Sequence, residues 1–220
     1  MNKIAIMESK RRTLWWLGIV AGLLYISWPL GYWLNPAVSK NSLASGLEAV
    51  GQPYNWLFIG ADVASGLLVI ALSWSFWRAL KGRSPLQAMH ITLVSAALFG
   101  IGTIADALLP EQCIPGFEQC PSFTHSHILL VHGFFSILAS IFLFVSLCIM
   151  WAHQRRSVLL NGLLLGYILF GVVSLIEAVF PAGNGNWSQH YYITLCGIWI
   201  MAIPYAVEQY AYKLAAAQNA

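Results

Sequence analysis

The sequence predicts an all-α integral membrane protein with six transmembrane helices, both termini inside. Three observations carry that prediction. Of 220 residues, 59% are hydrophobic and only 9% are charged, whereas a soluble domain carries about 25% charged residues. The apolar residues fall into six runs, each near the roughly 20 residues that cross a bilayer as a helix. Ten of the eleven Lys and Arg residues sit at one set of run ends. So few charges cannot solvate a globule of this size. That excludes an ordinary soluble enzyme, a nucleic-acid binder and a disordered chain.

The six runs are Thr13–Leu34, Tyr54–Leu80, Leu86–Leu109, His125–Trp151, Val158–Phe180 and Ser188–Tyr212. Hydrocarbon offers no partner to a free backbone group, so each run must be a helix. They are too long and too uniformly apolar for barrel strands. Little chain remains outside them, so residues 1–220 read as a single transmembrane bundle without a soluble domain.

Lys3, Lys10, Arg11 and Arg12 precede the first run. Arg78, Lys81 and Arg83 fall in the second connection, Arg155 and Arg156 in the fourth, and Lys213 beyond the last run. Only Lys40 lies on the other side. The positive-inside rule then puts both termini in the cytoplasm. Trp15, Trp16, Trp74, Trp77 and Trp151 mark the inner interface; Trp33, Trp56 and Trp187 mark the outer one. The first run is too long for a cleaved signal peptide and no small-x-small site follows it, so it reads as a retained anchor. The net charge of +3 follows from this topology and needs no nucleic-acid partner. The partner it implies is the lipid bilayer.

Two of the four cysteines, Cys113 and Cys120, share an outer connection, with Pro115 and Gly116 between them. In an oxidising compartment that pattern predicts a disulfide staple. A redox pair is the rival reading, but such pairs usually show C-x-x-C. Cys148 and Cys196 lie inside runs and read as packing residues.

The third and fifth runs end alike. Phe99, Gly100, Ala107 and Pro110 align with Phe170, Gly171, Ala178 and Pro181 at a constant offset of 71 residues. Thr103 then matches Ser174, and Asp106 matches Glu177. This predicts parallel hairpin repeats, spans 3–4 and 5–6. Tyr54, His127 and Tyr191, each six residues before a glycine, leave a fainter trace of a third copy in spans 1–2. Parallel repeats occur in transporters, though a repeat alone does not make one.

Acids inside spans are costly and are functional candidates by default. Asp62, Asp106 and Glu177 all fall in the outer half. His125, His127 and His132 open the fourth span, and His190 opens the sixth. These seven residues define a candidate polar pocket facing outward. The bland alternative is a structural lock of hydrogen bonds between helices. A zinc site would take one ligand from each of several helices, with Asp62, Asp106, His132 and His190 as the candidates. No complete metal motif exists on one helix, since His125 and His132 are two turns apart, so no cofactor is assigned. Ser136, one turn after His132, and Ser65, three residues after Asp62, are candidate polar partners. Neither sits in a nucleophile motif, and membrane Ser residues usually bond backbone or neighbouring helices. Gly18 and Gly22 form a G-x-x-x-G that suits a close helix crossing. The connection Asn35–Pro53, with Leu43, Leu47 and Val50 at helical spacing beside Lys40 and Glu48, suits a short interfacial helix that lids the polar residues.

The chain resembles a bacterial family of six-helix inner-membrane proteins classed only as a domain of unknown function. The resemblance rests on the span-3 ending from Ala105 and Asp106 to Pro110 and on the cysteine-bearing outer loop. It extends through His125, His127 and His132, and through Gln189 and His190. It implies the membership and the six-span topology, and no activity. A more distant likeness is to ceramidase-like membrane hydrolases, which use helix-borne His, Asp and Ser. Their H-x-x-x-H is missing here, so no catalytic residue carries over. The functional expectation is a pocket that binds or handles a lipid or small amphiphile. The rivals are an intramembrane hydrolase, with or without zinc, and a structural subunit of a membrane complex.

Overall fold

The computed structural model describes residues 3–80, 87–112, 114, 127–179 and 187–218. Among these, eight α-helices occur: α1 (Lys3–Tyr25), α2 (Gly31–Leu34), α3 (Pro36–Asn41), α4 (Asn55–Leu80), α5 (Gln87–Leu108), α6 (His127–His153), α7 (Val158–Val179) and α8 (Trp187–Gln218). Short 3-10 turns at Trp28–Leu30 and Ala44–Glu48 join the early pieces. The fold is all-helical in its described residues, and the protein is an integral membrane protein. Helices α4 to α8 are each long and apolar enough to cross a membrane.

The first span departs from expectation. It is a bent pair, Arg11–Tyr25 and Trp28–Leu34, meeting at 41°. The reason is local: Pro29 lacks a backbone N–H and takes the start of a fresh 3-10 turn, as proline requires. Counted as one broken span, the pair brings the total to six.

Helix α5 packs most extensively against α4 and α6, and α1 joins α8 to α4. Helix α7 leans mainly on α8. Small residues set these approaches. A methyl group added at Gly66 would lie 2.6 Å from the Gly100 carbonyl oxygen, so α4 and α5 meet backbone to backbone. Gly22 meets Gly197 in the same way, and Gly18 receives Pro204 of α8. The crossing expected of the G-x-x-x-G in α1 is present. Ser65 adds a tie by donating to the Ala21 carbonyl at 2.8 Å. The main core runs down the centre through Val69, Phe76, Leu93, Phe99, Leu143, Leu147 and Trp199.

A second, smaller core seals one end of the bundle. Val38, Leu47, Ala49, Phe58 and Ile114 are buried together, with Trp28 and Leu34 against them. It fastens the segment between α2 and α4 over the top of the bundle. The expected lid exists, but as α3 plus a 3-10 turn rather than one interfacial helix. Trp16, Trp33, Trp56, Trp74 and Trp187 are exposed, as membrane-interface belts require. The opposite end carries a clamp: Arg11 Nε and Trp15 Nε1 both donate to buried Glu208, at 3.0 and 3.1 Å.

Candidate functional site

The lid fixes the site. Its 3-10 turn holds Glu48 inward, where the exposed Lys40 side of the same segment faces away. Glu48 is buried, with its carboxyl beside that of Asp62 on α4. Burial, then the nearby Asp62 and Asp106, pushes Glu48 well above the ordinary carboxylate range. Burial in low dielectric disfavours the charged form, and like charges add to the effect.

Asp106 ends α5 one turn below the lid. Its Oδ1 stands 3.0 Å from His132 Nδ1 on α6. The same nitrogen lies 3.3 Å from the Asp106 backbone oxygen. Ser136, one turn further along α6, donates to Asp106 Oδ2 at 2.9 Å. The far side of the imidazole meets a residue that the sequence reading did not single out. His132 Nε2 lies 3.5 Å from Glu111 Oε1, and Ser45 of the lid donates to that oxygen at 3.4 Å. The Glu111 backbone carbonyl accepts from the Val50 N–H at 2.8 Å. Glu111 is buried, and desolvation raises its pKa against the opposing pull of His132 and Ser45.

Among the described residues, four carboxyl groups therefore share one cluster with one imidazole: Asp106 and Glu111 meet His132 directly, and Glu48 and Asp62 lie next to Asp106. Sequence reasoning found Asp62, Asp106 and His132. It mentioned Glu48 only as part of a lid and missed Glu111 entirely. A faint signal existed, since Glu111 directly follows the Pro110 that ends the third span.

The other expected members stand elsewhere. Glu177 accepts a hydrogen bond from Ser188 at the start of α8. His190 is packed on Trp28, with ring centroids 4.6 Å apart, and on Trp187 at 5.9 Å. A histidine neighbour is seen at Asp106, where His132 stands 3.0 Å from its carboxylate. Gln189 instead anchors the lid, accepting from the Ala44 N–H at 2.6 Å. His125 and the side chain of His127 lie outside the described residues, as do Cys113 and Cys120 with their expected disulfide. The described cysteines, Cys148 and Cys196, are free thiols.

The zinc expectation is corrected in its grouping. Among the described residues, no three His, Cys, Asp or Glu side chains come together as a metal site. His190 packs on its two tryptophans, and Asp106 and Glu111 meet His132 as ionic partners. Among the described residues, Ser136 is not paired with His132 as a nucleophile with its base. Ser136 gives its proton to Asp106 rather than to His132, so the contact between nucleophile and base that acyl transfer needs is missing.

A family model matches residues 19–207, from within α1 to within α8, and so encloses every residue of the carboxyl group. The chain belongs to the DUF998 family, proteins of unknown function. No curated protein and no solved structure matches it. Membership therefore agrees with the resemblance read from the span-3 ending and the histidines, and the chemistry rests on the geometry alone.

Proposed function

We propose that this DUF998 protein is a membrane binding protein that exchanges protons for a small cationic amphiphile at a lidded acid site. The observation that carries the reading is the charge count around His132. Glu48, Asp62, Asp106 and Glu111 share one cluster with a single imidazole. With every carboxyl ionised against one imidazolium, the group would hold three uncompensated negative charges, an arrangement that neutralises itself by binding protons or a cation. Protons serve when the lid is closed. A cationic headgroup serves when it opens, with the acyl part of the guest left in the bilayer.

The lid supports the same reading. It touches the acids through Glu48 and Ser45, and is tied down by single hydrogen bonds at Val50 and Ala44. Displacing it uncovers all four carboxyls together. The Lys and Arg distribution supports an outward-facing site with cytoplasmic termini, and the family resemblance supports a single bundle in a bacterial inner membrane. The matched endings of α5 and α7 support descent from a duplicated hairpin in which one copy, holding Asp106, kept the acid site. A hydrolase is the weaker reading, because Ser136 and His132 each turn to Asp106 and not to each other.

The test uses the full chain in an uncharged detergent, titrated with dodecyltrimethylammonium in two buffers of different ionisation enthalpy. Calorimetry should report release of about one proton per ligand bound, as linkage requires when a cation replaces a proton. Dodecanol, equal in tail and uncharged, should release none. Asp62→Asn with Asp106→Asn should remove both the binding and the proton release. Binding that ignores both pH and these substitutions refutes the reading.

A further inference from the structure

The opposite end of the bundle holds a second feature, independent of the acid site. A cleft of about 470 Å³ opens where the short turn between α6 and α7 meets α8. Gln154, Arg156, Ser157, Tyr205, Gln209 and Lys213 supply its polar wall, while Val158 and Leu159 supply its apolar edge. Among the described residues, two cations and no acid line it. Arg156 and Lys213 are both exposed, and neither takes the nearby carboxylate, because Glu208 is already held by Arg11 and Trp15. Arg155 is occupied differently, lying over the Trp151 ring at 5.3 Å.

We infer that this cleft binds the phosphate headgroup of an anionic phospholipid. The chemistry of the walls selects the headgroup. Guanidinium and ammonium pair with phosphate oxygens, and amide and hydroxyl groups beside them can donate to a glycerol headgroup. The position selects a lipid as the source. The cleft lies at the ends of α6 and α8 and the start of α7, where headgroups reside. Its apolar edge continues onto the exposed face of α7, where Val158 is 85% and Leu165 is 70% accessible, a surface that suits acyl chains. Basic pockets between transmembrane helices are recurrent sites for anionic headgroups. The bound lipid would bridge α7, which otherwise leans mainly on α8, to the rest of the bundle.

Native mass spectrometry of the full chain tests this, with phosphatidylglycerol or phosphatidylcholine added to the micelles. Phosphatidylglycerol should be retained in preference. Arg156→Gln with Lys213→Gln should weaken its binding roughly thirtyfold, the product of two cation contacts. Arg78→Gln, which removes a charge from the same end of the bundle but outside the cleft, should change it less than about twofold. The charge-keeping pair Arg156→Lys and Lys213→Arg should retain the lipid, which separates loss of a contact from loss of fold. Circular dichroism of each variant checks the same point. Equal losses in the Arg78 variant overturn the proposal, as does unchanged binding in the double variant. Millimolar inorganic phosphate should fail to displace the lipid. If it competes fully, the occupant is a free phosphate and the lipid assignment falls.

Discussion

Replacing His132 and Asp106 by leucine, singly and together, measures whether the contact at the centre of the acid site is energetically real. His132 is 4% exposed, and its Nδ1 stands 3.0 Å from Asp106 Oδ1. A hydrogen bond involving a charged group contributes about 1.5–3 kcal/mol in a protein interior. Interhelical bonds in membranes average about 0.6 kcal/mol and reach about 1.7 kcal/mol. The short distance and the burial put this pair near the top of the membrane range, so a coupling of about 1.5 kcal/mol is expected. His132→Leu alone should cost about 2 kcal/mol. Its loss is bounded because Asp106 and Glu111 can take up protons once the imidazole is gone. Asp106→Leu should cost about 3 kcal/mol, because Ser136 loses its acceptor as well. The double variant should fall short of the sum by the coupling energy. Equilibrium unfolding of the full chain in mixed micelles, followed by circular dichroism, supplies all four corners of the cycle. Additivity within about 0.5 kcal/mol would show that the two side chains are neighbours without being partners, and the charge argument for the site would lose its centre.

Three further outcomes follow from the same contacts. Glu48 and Glu111 both have raised folded-state pKa values against an ordinary 4.5, so the folded, lidded state holds their protons more tightly than the unfolded chain does. Their contribution is full below the ordinary carboxylate range and is lost as pH rises through the folded values; the thermal midpoint should fall with rising pH, and Glu48→Gln with Glu111→Gln should flatten that slope. Gly66→Ala should cost about 1–3 kcal/mol by overpacking against Gly100, whereas Gly60→Ala, with open space around it, should stabilise α4 by up to about 1 kcal/mol; equal effects in micelle unfolding would disprove the backbone crossing. A reporter fused after Arg156 should read cytoplasmic and a tag beside Val50 external, and a reversed reading at either would overturn the orientation drawn from the basic residues.

The spans were legible in the sequence because the bilayer imposes one rule on all of them: length and apolarity. The break at Ile26 and Ser27 was less so, since Pro29 sits inside an otherwise continuous apolar run and proline is tolerated in membrane helices. The acid site was half legible. Asp62 and Asp106 betray themselves by being charged within spans, and His132 by sitting at the same depth. Glu48 and Glu111 lie in connections, where an acid is ordinarily solvated and draws no notice. Only the folding of the lid onto Phe58 and Ile114 takes them from water. His190 and Glu177 misled for the converse reason. Depth along a helix can be counted from the sequence, but direction around the bundle depends on which helices are neighbours, and α8 turns His190 toward Trp28.

That difference bears on what the site can do. Acids within the spans are fixed by the bundle: Asp62 and Asp106 stand on α4 and α5, whose backbones are in contact at Gly66 and Gly100 and leave little freedom to shift. The acids of the connections are fixed only by the lid. Two of the four carboxyls therefore belong to a rigid wall, and two are held in place by a segment secured through a five-residue apolar core and a few hydrogen bonds. Such a segment belongs to the low-stability end of a fold, where local opening costs least. Opening separates Glu48 from Asp62 and rehydrates it, and a rehydrated carboxyl gives up its proton near neutral pH. Deprotonation and opening therefore favour each other, and a cation that settles on Asp62 and Asp106 stabilises the open arrangement further. On the function proposed above, proton release, lid displacement and cation binding form one coupled equilibrium, biased by whichever of the three is varied.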